Sequence, residues 1–317
     1  MNDPIPKGGY QAVLQIIQCL GDGGPETALD LVPKLRHFGY TVEEEDGVEE
    51  SPALSSGNYT HTELCEVLEF TEEDGDKLKL TEESTNNFSV DTSGKRVYKI
   101  LDSDMPQEVK KAEISSLILL KLCEYDIDTR SRDIPDAFNE FLRKLWAERN
   151  RDEQTGRYQT PWNLDQIETE VSTDWNKEKL RFGRQRGLAL GVCQEGTTGG
   201  SRMLFPVLSK DIFQAVIFHI FEYHRTEASE HTPNMTDFFE QISKWYPVSR
   251  DVYEDNVLYR GMLSRNVKIT QETYPVLWTL LNQREDHDDD DFRVNWLEGE
   301  DSWNEDIPYA EFELRVI

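Results

Sequence analysis

The sequence predicts a mainly α-helical chain carrying small antiparallel β-hairpins. Two observations predict it. Apolar residues recur at three- and four-residue spacing through most of the longer segments, the period of a helix with one buried face. Short alternating apolar runs flank an Asp-Gly turn at one place and a glycine-rich turn at another, and each follows a string of helical segments, so the order of helices then hairpin occurs twice.

The first string begins at residue 10. Val13, Ile16, Ile17 and Leu20 share one helical face until Gly21-Asp22-Gly23-Gly24-Pro25 breaks the pattern. Ala28, Leu31, Val32 and Leu35 mark a second helix that stops near Gly39. Residues 41–60 are acidic and turn-rich and read as a loop. A third short helix is expected from His61 to about Glu69. Leu68 and Phe70, then Leu78 and Leu80, flank Asp74-Gly75-Asp76 as a β-hairpin.

Residues 106–126 read as a helix with Ile114, Leu117 and Ile118 in the core, and 133–149 as another with Phe138, Phe141 and Leu145 inward. After a polar connection, Pro161 suits the first turn of a helix reaching about Val171. Ser172-Thr173-Asp174 offers N-cap chemistry for a helix from Trp175 to about Arg186, ended by Gly187. Leu190 and Val192 lead into the glycine-rich stretch 196–201, and Met203, Phe205 and Val207 lead back. Helices are expected at 210–227, 234–244 and 270–284. Phe292, Val294 and Trp296, then Phe312, Leu314 and Val316, alternate like two strands. These strands fit either a third, degenerate copy of the same plan or a β-capped tail.

Composition bounds the function. The 317-residue chain has 62 acidic and 34 basic residues, a net charge of −28. Such acidity suits a salty cytoplasm, where charged surface stays hydrated and repulsion is screened. It also argues against nucleic-acid binding by the whole surface, so any basic cluster becomes informative. No run of about 18 apolar residues suggests a membrane span. The opening residues lack a signal-peptide pattern, so a cytoplasmic protein is expected. Cys19, Cys65, Cys123 and Cys193 form no Cys-x-x-Cys pair and read as separate core thiols.

The basic cluster is Lys177, Lys179, Arg181, Arg184 and Arg186, with one acid, Glu178, among residues 176–186. Lys177, Arg181 and Arg184 fall on one helical face. In a helix-turn-helix the second helix enters the major groove, where arginine pairs with guanine and lysine neutralises phosphate. Asn176 and Gln185 are further candidates for base edges. Arg202, beside Thr197, Thr198 and Ser201, suits a phosphate or the minor groove. The competing structural reading is a solvated face, or one paired with the chain's own acids. The earlier third helix carries Glu63, Glu66 and Glu69, and residues 41–75 hold twelve acids without a lysine or arginine. That unit would repel phosphate, and is expected to bind protein, dimerise or support the fold.

Metal and enzyme signatures are weak. His219 and His224 are five apart, and His219 shares an apolar stripe with Ile212, Val216 and Ile220, which favours a core histidine. The acidic run 285–291 lacks the glycine and closing glutamate of an EF-hand. There is no Walker A loop and no Gly-x-Ser-x-Gly elbow. Glu108-Val109-Lys110 after Asp102 and Asp104 echoes a nuclease's carboxylates and lysine, but follows Pro106 at a helix start. A non-enzymatic protein without cofactor or metal is expected.

The stretches LEFTEEDGDKLKLT and LRFGRQRGLALGVCQEGTTGGSRMLFPVL resemble the third-helix-to-wing portions of archaeal and bacterial winged-helix proteins, here in a tandem, haloarchaeal-type form. The resemblance implies two winged-helix modules joined by helical segments, with a helical C-terminal region and a terminal hairpin. The first, acidic module would occupy 1–100, the helical linker and second, basic module 101–210, and the C-terminal region 211–317. The tandem plan also resembles accessory subunits of prokaryotic DNA-modification and defence islands. It implies non-catalytic recognition of duplex DNA or assembly with protein partner subunits, in defence or transcription regulation. The alternative is a protein-interaction scaffold whose winged helices hold partner subunits.

Overall fold

The structure, a computed structural model, describes residues 10–27, 30–31, 43–45, 48–50, 61–83, 90–124, 162–163, 184, 187–206, 209–227, 267–285, 292–298 and 310–316. Over these residues the chain is helix-rich, with small antiparallel sheets of two or three strands.

Helix α1, Tyr10–Gly23, buries Val13, Ile16, Ile17 and Leu20, the stripe legible in the sequence, together with Tyr10 and Leu14. It continues through Gly21, where the sequence suggested a break, and closes with the Gly24 N–H on the Leu20 carbonyl at 2.9 Å. Asp30 and Leu31 are helical. The rest of the expected second helix lies outside the described residues. The expected loop at 41–60 contains a hairpin of β1, Glu43–Glu45, and β2, Val48–Glu50. The Asp-Gly dipeptide at 46–47, a favoured hairpin connector, is the signal that the acidic composition obscured.

Helix α2, His61–Val67, leads into β3, Thr71–Asp74, and β4, Lys77–Leu80. Its end is a Schellman motif. The Phe70 N–H bonds the Cys65 carbonyl at 2.9 Å and the Glu69 N–H bonds the Glu66 carbonyl at 2.8 Å. The residue in the left-handed conformation is Glu69, with φ 55°, where glycine is usual. On its other side β4 pairs with the segment after α1, through reciprocal Glu26–Leu78 backbone bonds of 3.1 and 2.8 Å.

Helix α3, Gly94–Asp102, was not anticipated. It is short, and its pattern rests on little more than Val97 and Ile100. Its signal is the cap: the Ser93 hydroxyl accepts from the Arg96 N–H at 3.1 Å. Helix α4, Gln107–Glu124, follows as expected.

The β6–β7 hairpin is approached as the β3–β4 hairpin is, from a capped helix end. Trp162–Asn163 form a strand, β5, where Pro161 suggested the start of a helix. Pairing with β7 outweighs the local proline preference, and tryptophan suits a half-buried strand. Gly187–Ala189 are helical, so the expected stop at Gly187 falls instead at Gly191. The Val192 N–H bonds the Gly187 carbonyl at 2.9 Å and the Gly191 N–H bonds that of Leu188 at 3.3 Å. This is the Schellman pattern of α2 again, now with glycine (φ 69°) at the left-handed position. Strands β6, Cys193–Thr198, and β7, Ser201–Pro206, follow, and the sheet order is β5-β7-β6.

Helix α5, Lys210–Glu227, packs on α4 and on α6, Pro275–Glu285. Every residue from Ala112 to Leu120 and from Ile212 to His219 is buried, so α4 and α5 have no solvent face over these turns. The start of α6 is capped from α5. The Gln214 side-chain oxygen accepts the Val276 and Leu277 N–H groups, each at 3.1 Å, two donors that a helix start leaves without partners. The expected helix at 270–284 therefore begins later. Thr270 and Thr273 form a turn in which each hydroxyl accepts the other residue's N–H.

The last sheet joins β8, Val267–Ile269, β9, Phe292–Glu298, and β10, Ala310–Val316, in the order β10-β9-β8. The expected apolar pairs are adjacent, with Phe312 opposite Trp296 and Leu314 opposite Val294. Here the first hairpin strand is central, whereas in the 162–206 unit it is the second. The C-terminal sheet is thus not a copy of that plan.

Three substitutions test these contacts. A Cβ on Gly191 would meet Ile212 Cδ1 at 2.7 Å at a left-handed φ. Gly191→Ala is expected to cost more than the ~1–2 kcal/mol of the conformation alone, whereas Gly200→Ala, with open space around it, costs about that amount. Gln214→Leu is expected to cost about 1–3 kcal/mol by leaving two buried donors unpaired. Urea unfolding of each variant measures these costs.

Candidate nucleic-acid interface

Two glycines set the tip of the β6–β7 hairpin. Thr198 pairs with Ser201, and the intervening Gly199 and Gly200 have φ of 59° and 87°. Positive φ at both positions defines the type I′ turn, whose twist matches that of the flanking strands. Thr197 lies opposite Arg202 and Glu195 opposite Leu204. Side chains alternate across a sheet, so these four residues share one face. That face passes from core at Leu204, fully buried, to solvent at Arg202, which is exposed.

Arg184 reaches the same face. Its Nε donates to Glu195 Oε1, and the two side chains keep 25% and 35% of their exposure. The structure therefore brings Arg184 and Arg202 to one face of the hairpin, with a carboxylate holding the first. Glu195 is the residue that sequence reading missed. Ten residues separate it from Arg184 across a cap and a strand, and only the hairpin register reveals the pairing. Asn176, Lys177, Lys179, Arg181, Gln185 and Arg186 lie outside the described residues.

At the buried end of this same face, two residues before Glu195, sits Cys193. Burial, reinforced by Glu195 and partly opposed by Arg184, pushes its thiol up to about 12. Cys65 is raised for the same reasons, burial first and then Glu66. Neither supplies a thiolate near neutral pH.

Other candidate chemistry is structurally engaged. Lys110, the lysine of the nuclease-like echo, is buried and donates to the Leu101 carbonyl at 2.8 Å, capping α3. Asp102 and Asp104 are exposed. His219 is fully buried, with Nε2 3.1 Å from Ser116 Oγ and Nδ1 3.5 Å from Glu222 Oε2. The order hydroxyl, imidazole, carboxylate is that of a catalytic triad. However, Ser116 is fully buried in α4 and its hydroxyl donates to the Glu113 carbonyl at 2.7 Å. A substrate cannot reach that oxygen. Among the described residues no three His, Cys, Asp or Glu side chains converge on a metal position, and no helix is long and apolar enough to cross a membrane.

The first unit presents acid instead. Glu69 is exposed and paired with Lys121 of α4, and Glu72 pairs with Lys79 at 3.3 Å. The side chain of Glu63 lies outside the described residues.

The thiols give a test. Cys19 is half-buried, while Cys65 and Cys193 are buried, so a disulfide reagent at pH 8 is expected to label Cys19 before the other two. The folded thiol of Cys193 lies near 12 against a usual value of 9.0. The unfolded chain loses this proton first as pH rises, so stability falls with pH through that window. Cys193→Ala is expected to flatten the decline, read by urea unfolding at pH 8 and pH 10.

No protein-family model matches the chain, and it has no match among curated proteins or solved structures.

Proposed function

We propose that this protein binds duplex DNA through its 162–206 unit, as a non-catalytic recognition or assembly subunit. The supporting observation is the position of the basic cluster. The five cations of residues 177–186 lead directly into the Gly191 cap, and the hairpin beyond it carries Arg202 on the face that Arg184 reaches. A short strand pairing with the second strand of the hairpin, a capped helix and a glycine-tipped wing are the parts of a winged helix. The 10–80 unit has the same parts, with Glu26 in place of the short strand.

In this reading the helix expected from Trp175 to about Arg186 enters the major groove. Lys177, Arg181 and Arg184 face the duplex, Asn176 and Gln185 reach base edges, and Lys179 and Arg186 neutralise flanking phosphates. Arg202 on the wing meets a phosphate or the minor groove. Charge opposes approach by the rest of the molecule, so the contact is local and orientation is imposed by repulsion elsewhere.

One observation favours a second reading, a scaffold that binds protein subunits: Arg184 is held by Glu195 of its own unit. A phosphate must displace that carboxylate before Arg184 reads DNA.

Fluorescence anisotropy of a labelled duplex across a KCl series separates the two. Wild type is expected to bind saturably and with salt sensitivity, and Arg181→Glu/Arg184→Glu to abolish binding. Arg202→Ala is expected to reduce the slope of log affinity against log salt by about 0.9, one phosphate contact. Absence of wild-type binding at every salt concentration, or a double variant indistinguishable from wild type, rejects the DNA reading and leaves the scaffold.

A further inference from the structure

Register divides the C-terminal sheet into an apolar face and a charged one. Residues directly opposite in an antiparallel pair lie on the same face. Ile269, Phe292 and Val316 form one cross-strand row, and Val267, Val294 and Leu314 the next. Ile269 is fully buried, which makes this the core side. On the other face Lys268, which is exposed, Arg293 and Arg315 form a row of three cations. Like charges directly opposite one another are destabilising. Glu313, two residues before Arg315 on the same face, stands opposite Asn295. Across β9, then, neither Arg315 nor Glu313 is set opposite a counter-charge.

The outer side of β10 can supply one. Among the described residues β10 pairs with β9 alone, so its seven residues form a sheet edge. An edge presents backbone donors and acceptors to any strand that matches it. Charges of one sign would repel a second copy in every register, but β10 carries both signs. Around Leu314 it reads Phe-Glu-Leu-Arg-Val. Reversing that pattern keeps the apolar positions and exchanges acid for base. A twofold axis through an antiparallel pair performs this reversal.

We infer that β10 is a dimerisation edge and that its occupant is β10 of a second copy, paired antiparallel about Leu314. Phe312 then stands opposite Val316, Glu313 opposite Arg315 on both sides of the axis, and Leu314 opposite its own copy. The apolar faces of the two sheets become continuous, and each row of cations ends on a glutamate. A one-residue slip would turn the charged face of one copy to the core side of the other. Centring the pair on Glu313 would set Glu313 against itself. The ladder is short and buries less than about 1,000 Å², the size of an interface that dissociates. Repulsion between two copies of charge −28 is screened over about 8 Å at physiological salt, whereas paired strands lie about 5 Å apart. The inference is independent of DNA binding by the 162–206 unit, which shares no residue with β10.

Sedimentation velocity of the full chain over a concentration series tests it. Wild type is expected to show a reversible monomer–dimer equilibrium. Glu313→Arg places two cations opposite each other in both pairs, and Arg315→Glu places two acids there. Each is expected to weaken dimerisation about tenfold to a hundredfold. The double exchange Glu313→Arg/Arg315→Glu is expected to restore it. An equimolar mixture of the two single variants is expected to form heterodimers, because every charged pair is then opposite in sign. Arg315→Glu also removes the like charge opposite Arg293, so its monomer is expected to melt no lower than wild type, and loss of the dimer is not loss of the fold. A wild type that stays monomeric up to about 1 mM overturns the inference. So do single variants that dimerise like wild type, or a mixture as monomeric as its components.

Discussion

Glu113 is the residue around which the rest is arranged: a carboxylate in the stretch of α4, Ala112 to Leu120, where every residue is buried. Its partner is Arg96 of α3, bonded at 2.7 Å. Burial alone would lower the Arg96 pKa, but the Glu113 and Glu222 carboxylates and the bond to Glu113 outweigh it, and the net shift is upward. The guanidinium therefore stays charged, as the carboxylate requires. One turn along α4, Ser116 meets His219 of α5, and Glu222 of α5 lies 4.0 Å from Arg96. A single polar chain thus connects α3, α4 and α5. Removing one member of such a buried pair strands the other, at about 3–5 kcal/mol. Apolar packing would let two all-buried helices slide in register, and these pairings select one.

With α4 and α5 held together, the two hairpin units attach at defined points. The 162–206 unit is fixed to α5 at Gly191, whose carbonyl accepts the Ser209 N–H at 2.8 Å and whose bare Cα lies against Ile212. The 10–80 unit is fixed to α4 through Glu69 and Lys121, and to α3 through Tyr98, which donates to Asp22 at 2.9 Å. The helix cap before each of these hairpins is therefore also the junction of its unit with the helical core. A rigid junction lets a wing and its helix act as one body, which a DNA-reading or partner-binding surface requires.

What was legible in the sequence is what local chemistry decides. The α1 stripe, the core face of α4, the Asp-Gly and Gly-Gly hairpins and the paired Phe312 and Trp296 all follow from periodicity or turn chemistry. The rest depends on partners distant in sequence. Trp162 is a strand because β7 is beside it, although Pro161 argues locally for a helix. The α6 start is placed by Gln214, 62 residues away from Val276. Among the candidate contacts, the basic cluster was visible as composition, but the Arg184–Glu195 pair was not.

In the proposed reading, the Arg184–Glu195 pair bears on how an acidic protein would hold DNA. At net charge −28 the long-range field repels a duplex, and salt screens it only beyond about 8–10 Å. An unpaired basic face would also attract the chain's own acids and those of neighbouring copies. A carboxylate on the wing gives Arg184 a local partner with the geometry of a phosphate oxygen and leaves it partly exposed. Exchange of Glu195 for a phosphate conserves the number of ion pairs. Its net gain therefore comes from counterions released by the duplex and from contacts beyond Arg184. In the proposed reading, DNA is then held only where the helix and Arg202 engage together, and a lone phosphate contact gains little over the internal pair. Selectivity for a correctly docked duplex follows from this competition.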